Sequence, residues 1–422
     1  MARRLNVTDG YAIINAMADE MLGKNATIQA IDESTFSSVG ESIMNAGTEN
    51  VINTLALVTS RDLVAIRPYR AKFRLINALD SGMFANRIRK ISYYAKESTP
   101  TGASNTQIFT NLAMGYDNGT NPAGTPPTNQ STESMWLQST PVTYQAYFGG
   151  AIEWQYPYTL YENALKLAFR SPEDWTNFLN GFLVSCANDI ESEKEAFSRL
   201  VVLNHIAGIY DLASDMPGSA INMTAVYNAK YRTSYTTAQL LTTYFADFLG
   251  VFVSTVKTVS DMMENRSVKY HWSPTKTVGG VSYVLPRQTK KEDQRMLMVA
   301  SFWNDAEALV LPAIFNDQYL KLDNFEKVDY WQNINDPFAI SVTPAIPDTS
   351  DPTEQTSGSA VTLSYVLGLL YDKDAMMVDF HLEDVTSSPL EARKHYRTIW
   401  NTINKNPIND FTENAVLFYM AD

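Results

Sequence analysis

Ser171-Pro172-Glu173-Asp174-Trp175-Thr176-Asn177-Phe178 carries every mark of a helix start. A serine stands where its side chain can cap, a proline follows in the first turn, and two acids face the positive end of the helix dipole. Beyond it Trp175, Phe178, Phe182, Cys186 and Ile190 recur at spacings of three and four. Phe197, Leu200 and Val201 continue the stripe past a charged stretch at Glu191, Glu193, Lys194 and Glu195, and Gly208 is the expected stop. At 1.5 Å per residue the spacing predicts a helix on the order of 50 Å long, a spine longer than most globular helices.

Upstream, residues 95–141 change character. Thr99-Pro100, Asn118-Gly119, Asn121-Pro122 and Pro126-Pro127 punctuate a nearly uncharged run of Thr, Ser, Asn and Gln, which forbids long regular elements. Strand-like runs flank it, Ile91-Ser92-Tyr93-Tyr94 before and Val142 to Phe148 after. The pattern predicts a hairpin with a very long arm. Such long loops are either disordered or reach out to bind something. Earlier still, Thr8 is placed to cap a short helix with Ile13, Met17 and Met21 on one face and Gly23 at its end. A polar stretch through Thr35-Phe36-Ser37-Ser38 and apolar runs at Val51 to Val58 and Leu63 to Ile66 complete an arm with too little apolar surface for its own core.

Downstream, Leu241, Phe245, Phe248, Phe252, Val256, Val259 and Met263 predict a second long helix, with a kink expected at Gly250. A hairpin around Gly279-Gly280, a buried strand at Arg295 to Ala300 and a short helix from Asn304 follow. A polar loop covers 344–360, then come strands at Leu363 to Leu370, Ala375 to Phe380 and Ala415 to Tyr419. The class is α+β.

The 422 residues contain 33 Lys plus Arg against 46 Asp plus Glu, a net charge of −13, which is unlike a protein that reads nucleic acid through a basic face. Charged residues make up only 19%, below the roughly 25% of ordinary soluble domains, while aromatics reach 12%. That balance suits large contacts between chains. The single cysteine, Cys186, falls in the helical stripe and reads as a small buried hydrophobe in a protein folded under reducing conditions. Asn6, Thr8 and Asp9 interrupt any signal-peptide core after Arg3-Arg4, and no apolar run approaches the ~20 residues of a membrane span.

No catalytic, cofactor or metal site is expected. His205, His271, His381 and His395 are widely spaced, and neither phosphate-cradling loops nor a GxSxG elbow occur. His381 beside Glu383 and Asp384 is explained by a surface strand end, and Asp372-Lys373-Asp374 by a tight turn, since it lacks the glycine and distal Glu of a calcium loop. Asn6-Val7-Thr8 has no secretory context that would make it a glycosylation site.

The order of arm, long hairpin, spine helix, second helix and mixed region returning to a last strand resembles the Hong Kong 97-type capsid fold of tailed bacteriophages. Small short-tailed, picovirus-like phages are the most similar members. The stretches that carry the likeness are Asn53-Thr54-Leu55 through Asp62 to Arg67, the Trp175 to Phe178 helix start, Arg295 to Val299, Leu369 to Ala375, and Phe411-Thr412-Glu413-Asn414-Ala415-Val416. The resemblance implies an N-arm and lead-in at 1–70, an E-loop with flanking strands at 71–155, and the spine helix with a P domain at 156–285. An A domain would occupy 286–385, with return strands to the P domain at 386–422. It implies a major capsid protein, not an enzyme, whose copies form hexamers and pentamers of an icosahedral shell around double-stranded DNA without sequence-specific binding. It further implies help from a scaffolding protein and a portal, no membrane, no cofactor, assembly in the host cytoplasm and residence in the virion. A scaffold is expected to be separate because no N-terminal delta domain is evident, and no immunoglobulin-like tail follows Phe418. Covalent Lys–Asn crosslinking does not transfer, since Lys96, at the loop's base, has no identifiable acid partner. The rival expectations are an encapsulin-like cargo compartment and a carbohydrate-binding or adhesive surface protein.

Overall fold

The computed structural model describes residues 7–22, 29–45, 77–79, 88–95, 141–148, 152–278, 281–309, 325–348 and 355–422. In chain order its elements begin with α1 (Val7–Leu22), α2 (Glu33–Asn45), β1 (Asn77–Leu79), β2 (Ile88–Tyr93), β3 (Thr143–Phe148), β4 (Ile152–Tyr161), α3 (Glu162–Ala168) and α4 (Pro172–Asp211). Then come β5 (Ala220–Asn222), α5 (Met223–Tyr231), α6 (Thr237–Thr242), α7 (Phe245–Met263), β6 (Lys276–Val278), β7 (Val281–Tyr283), β8 (Gln294–Val299), α8 (Ala300–Leu309) and β9 (Phe325–Val328). The last are β10 (Ile340–Val342), β11 (Ala345–Pro347), β12 (Gln355–Ser357), β13 (Val361–Leu363), β14 (Tyr365–Asp372), β15 (Met376–Ser387), β16 (Tyr396–Asn409) and β17 (Ala415–Met420).

The spine helix is α4, forty residues in one piece, about 60 Å at 1.5 Å per residue. Ser171 accepts the Asp174 N–H at 3.1 Å, as its position promised. Gly208 does not end the helix, which continues to Asp211. The glycine is there because the Phe411 ring lies against it, where any Cβ would collide. Nor is the charged stretch a break: Glu195 pairs with Arg199 at 2.8 Å one turn on, and the Arg199 guanidinium stacks on Tyr330 with 4.0 Å to the ring centroid. These charges fall where α4 passes from one sheet to the other.

The first of those sheets has five strands in the order β5-β17-β14-β8-β9, with antiparallel pairing in the middle and parallel strands at both edges. Its two faces are sealed differently. Leu297, Val299, Leu369, Tyr371 and Leu417 face Val202, Ile206 and Ile209 of α4. Met296, Met298, Leu370, Val416 and Phe418 face Phe248, Phe252 and Val256 of α7 and Phe302 of α8. The second sheet has four strands, β1-β15-β16-β4, and its long β15–β16 pair is interrupted by one bulge between His381 and Glu383.

The expected second long helix is divided. The break comes at Thr243-Tyr244, so Leu241 belongs to α6, and α7 passes through Gly250 uninterrupted. A Thr236/Gln239 capping box starts α6 as a separate unit. The helix expected from Asn304 begins at Ala300, directly from strand β8. At the N-terminus Thr8 lies inside α1 and not at its cap, and the buried face is Ile14, Met17 and Ala18. The stretch around Phe36 is a helix, α2, started by Asp32, whose Oδ1 accepts the Thr35 N–H at 2.8 Å. Both helices pack on this chain's own Trp175, Leu165, Phe169 and Ile399. The runs at 51–66 and the loop at 96–140 lie outside the described residues. No described helix is long and apolar enough to cross a membrane.

Candidate functional site

The two sheets exchange strands at one seam. β14 leaves the five-stranded sheet through Asp372-Lys373-Asp374-Ala375 into β15, and β16 returns through Asp410-Phe411-Thr412-Glu413-Asn414 into β17. The two turns are stitched together, Asp372 N–H to Asn414 C=O and Asp410 N–H to Ala375 C=O, both at 2.8 Å. Each is shaped by its own carboxylate: Asp372 Oδ1 accepts the Asp374 N–H at 2.9 Å, and Asp410 Oδ1 accepts the Thr412 N–H at 2.8 Å. Such Asx turns are what an Asp followed two residues later by a free N–H favours. The expected tight turn at Asp372-Lys373-Asp374 is thus present. Lys373 pairs with Asp293 at 2.6 Å, and no group of three or more potential metal-ligating side chains forms among the described residues.

A buried polar network fills the seam. Thr289 donates to Asp372 Oδ2 at 2.7 Å and accepts from Asn414 at 3.1 Å. The His271 ring lies between Asn414 Oδ1, at 3.0 Å, and the Leu285 carbonyl, at 2.6 Å. Burial lowers the His271 pKa and raises that of Asp372, so both favour their neutral forms here.

The hairpin β2–β3 is seated on this seam. Its strands pair from Ile88↔Phe148 to Tyr93↔Thr143, so the flanking runs expected around the long loop do form one antiparallel hairpin. Alternation gives it two faces. Tyr94, Tyr144, Ala146 and Phe148 press on Leu285 and Ile408, while Ile91, Tyr93 and Tyr147 are 41%, 63% and 46% exposed. On the inner face the Lys90 ammonium reaches both Asp410, at 2.5 Å, and Glu413, at 2.6 Å. Arg287 donates to Ser92 Oγ at 2.7 Å and to the Thr412 carbonyl at 2.9 Å, and lies 3.3 Å from Glu413. Burial opposes the charge on Lys90 and Asp410, yet their pairing outweighs it: Lys90 is raised and Asp410 lowered from ordinary values. Glu413 ends above the usual carboxylate range, because its burial exceeds what Lys90 and Arg287 return.

The remaining sequence candidates lie apart. His205 is fully buried on α4, stacked on Phe411 with 4.8 Å between ring centroids, and burial pushes its pKa down to about 4. His395 sits in an exposed turn, 3.2 Å from Glu162. His381 belongs to β15 at the bulge, while Asp384 accepts the neighbouring Val385 N–H. Cys186 is buried, as expected, and burial pushes its thiol up to about 12. Sequence reasoning singled out the turns Leu369 to Ala375 and Phe411 to Val416 but neither their meeting nor Lys90. The Asp410-x-Thr412 turn signature was the available signal for half of it.

The sequence model of Phi29-like phage major capsid proteins matches residues 90–419, from Lys90 to Tyr419. Among solved structures, a chain from the capsid of Staphylococcus phage Andhra aligns with 85% of this chain and 89% of its own at 13% identity and a TM-score of 0.47. One from the structure of the head fiber and inner core protein gp22 of native bacteriophage P68 covers the same shares at 12% identity and a TM-score of 0.48. The cyanophage P-SCSP1u capsid aligns with 85% of this chain and 90% of its own at 10% identity and a TM-score of 0.40. No curated protein matches the chain.

Proposed function

The chain belongs to the Phi29-like phage major capsid protein family, and from that premise we propose that it works by shape and contact, with no chemistry of its own. As a major capsid protein of the virion it assembles with copies of itself. The α+β class and the Hong Kong 97-type fold it resembles are in keeping with that family. Our reading is that hexamers and pentamers close an icosahedral shell around double-stranded DNA, held by enclosure and not by sequence-specific contacts. Assembly would occur in the host cytoplasm with a scaffolding protein and a portal. Within the subunit, 1–70 serves as N-arm and lead-in, 71–155 as E-loop, and 156–285 as spine helix and P domain. Residues 286–385 form the A domain and 386–422 the return strands.

The observation that carries the assembly reading is the hairpin β2–β3, which turns Ile91, Tyr93 and Tyr147 outward on strands that lead to a long uncharged loop. Apolar side chains at alternate outward positions favour burial against another surface, and closed symmetry multiplies such contacts. Negative-stain microscopy of the purified chain tests this: uniform icosahedral particles are expected, and small monomers under all assembly conditions would sink it in favour of a surface binder. Particles that hold a cargo protein in place of nucleic acid would point to an encapsulin-like compartment. Deleting 100–136 should abolish stable shells, and normal shells from that variant would remove the loop from the mechanism.

A further inference from the structure

We propose that Lys90 is a positioning residue for assembly: together with Arg287 it clamps the hairpin β2–β3 to the seam and fixes the direction in which the strands leave the body. This rests on the reading of that hairpin as an assembly arm. Three observations support it.

The first is how little else holds the hairpin. Its two strands form a separate two-stranded sheet. Its apolar seat is a small satellite cluster, Tyr94, Tyr144, Ala146 and Phe148 on Leu285 and Ile408. A backbone bond from Ala95 N–H to the Val284 carbonyl adds one further tie. A two-stranded hairpin is marginally stable by itself, so its orientation depends on these contacts.

The second is that the clamp has two points on one strand. Lys90 and Ser92 are successive inward positions of β2, about 6.6 Å apart. Lys90 reaches Asp410 and Glu413, while Ser92 accepts from Arg287, whose other donors hold the Thr412 carbonyl and hydroxyl. One contact would let the hairpin pivot; two block rotation. Both attach to the same turn, 410–414, which joins β16 to β17 and so ties the arm to the junction of the two sheets.

The third is the burial of the partners. The Asp410 side chain is 3% exposed and the Glu413 side chain 11%. Swinging the hairpin away would leave a buried carboxylate without its cation, which the interior penalises heavily. The charged groups around the clamp are Arg287, Asp372 from β14, and His271 and His205 from the packed body, with Tyr94 and Tyr144 from the hairpin itself. None of them is a cation placed to substitute for Lys90 on Asp410.

The test compares wild type, Lys90→Met and Lys90→Arg by hydrogen exchange resolved to individual strands, and by shell yield in the electron microscope. Lys90→Met should raise exchange in β2 and β3 at least tenfold while β14 and β17 keep their protection, and it should cut the yield of regular shells. Lys90→Arg, which keeps the charge, should restore both to within a few-fold. Unchanged exchange in β2 and β3 would overturn the proposal, and so would an equal rise throughout the body, which marks general destabilisation and not positioning. Faster exchange confined to the hairpin with normal shells would uphold the clamp but remove the arm from assembly. Should Lys90→Met fail to fold, Ser92→Ala loosens only the Arg287 point; a few-fold rise confined to the hairpin is expected, and no rise would overturn the two-point clamp.

Discussion

In the five-stranded sheet β14 buries every residue from Val366 to Tyr371 between α4 on one face and α7 with α8 on the other. In the four-stranded sheet β16 buries Asn401, Lys405 and Asn406 beside Ile399, Ile403 and Ile408, and its neighbour β4 leaves Glu153, Gln155, Pro157 and Thr159 in the open. The first is a helix–sheet–helix sandwich that derives its stability from apolar area. The second is a long, one-sided sheet whose interior is partly polar and whose outer face is free for contacts. A shell subunit needs both: a part that keeps its shape and a part that offers surface.

The sharpest way to break this contrast is to cut into each sheet in turn. Phe418 is fully buried, its ring edge-on to Phe252 with centroids 5.7 Å apart. Phe418→Ala should cost about 3–5 kcal/mol in urea unfolding, the usual range for a large core side chain. Gln155→Ala on the open face of the other sheet should stay within about 0.5 kcal/mol. Equal costs would mean that the four-stranded sheet is as sealed as its neighbour.

Next in size is a pH effect at the seam. His205 is neutral in the fold, its pKa pushed down from 6.5 to about 4 by burial, with Asp410 opposing. Below pH 6.5 the unfolded chain takes up a proton that the folded chain refuses until about pH 4, so stability falls as pH falls through that window. The loss attributable to this group is about 3 kcal/mol at the bottom of the window. Urea midpoints at pH 7 and 4.5 for wild type and His205→Leu should diverge accordingly, the variant losing less. Parallel curves would show that the ring is already charged or solvated.

A smaller effect belongs to Gly208, where the Phe411 ring occupies the space a Cβ needs. Gly208→Ala should destabilise by about 1–3 kcal/mol through overpacking, although alanine is the better helix former. A stabilised variant would mean that the ring can swing aside and that α4 is not locked to the returning turn.

What the sequence disclosed follows the same division. α4, α7 and the strands β8, β14 and β17 were legible because apolar periodicity is strong wherever an element is sealed by apolar neighbours. β16 was not read as a strand: Tyr396-Arg397-Thr398-Ile399-Trp400-Asn401-Thr402-Ile403-Asn404-Lys405-Asn406-Pro407-Ile408 alternates poorly and carries asparagines and a proline that usually signal loops. Its regularity comes from pairing with β15 and β4 on both sides, a long-range cause that no local window contains. The Gly208 error has the same root, since a glycine that admits a ring from residue 411 looks locally like a helix stop. The clamp is harder still: Lys90 and Asp410 are 320 positions apart, and only the meeting of the hairpin with the turn makes them a pair.

The smallest expected change tests whether the polar interior of the four-stranded sheet holds it together or is merely tolerated there. Lys405 is fully buried, with its ammonium 4.6 Å from the Trp154 ring centroid, 2.9 Å from the Tyr156 hydroxyl and 3.3 Å from Glu193. Burial lowers its pKa despite Glu193. The attraction therefore does not fully offset the lost hydration. Lys405→Met keeps the stem among the aromatic rings and removes the charge, while Glu193, 36% exposed, can regain water. The two losses and one gain should nearly cancel, leaving urea stability at neutral pH within about 1 kcal/mol of wild type. Wild type should gain on the variant as pH rises toward 10.5, because the folded chain releases its proton before the unfolded one does. A loss above about 3 kcal/mol on Lys405→Met would instead make the buried cation a main support of this sheet, and the contrast between the two sheets would then be one of interaction type and not of strength.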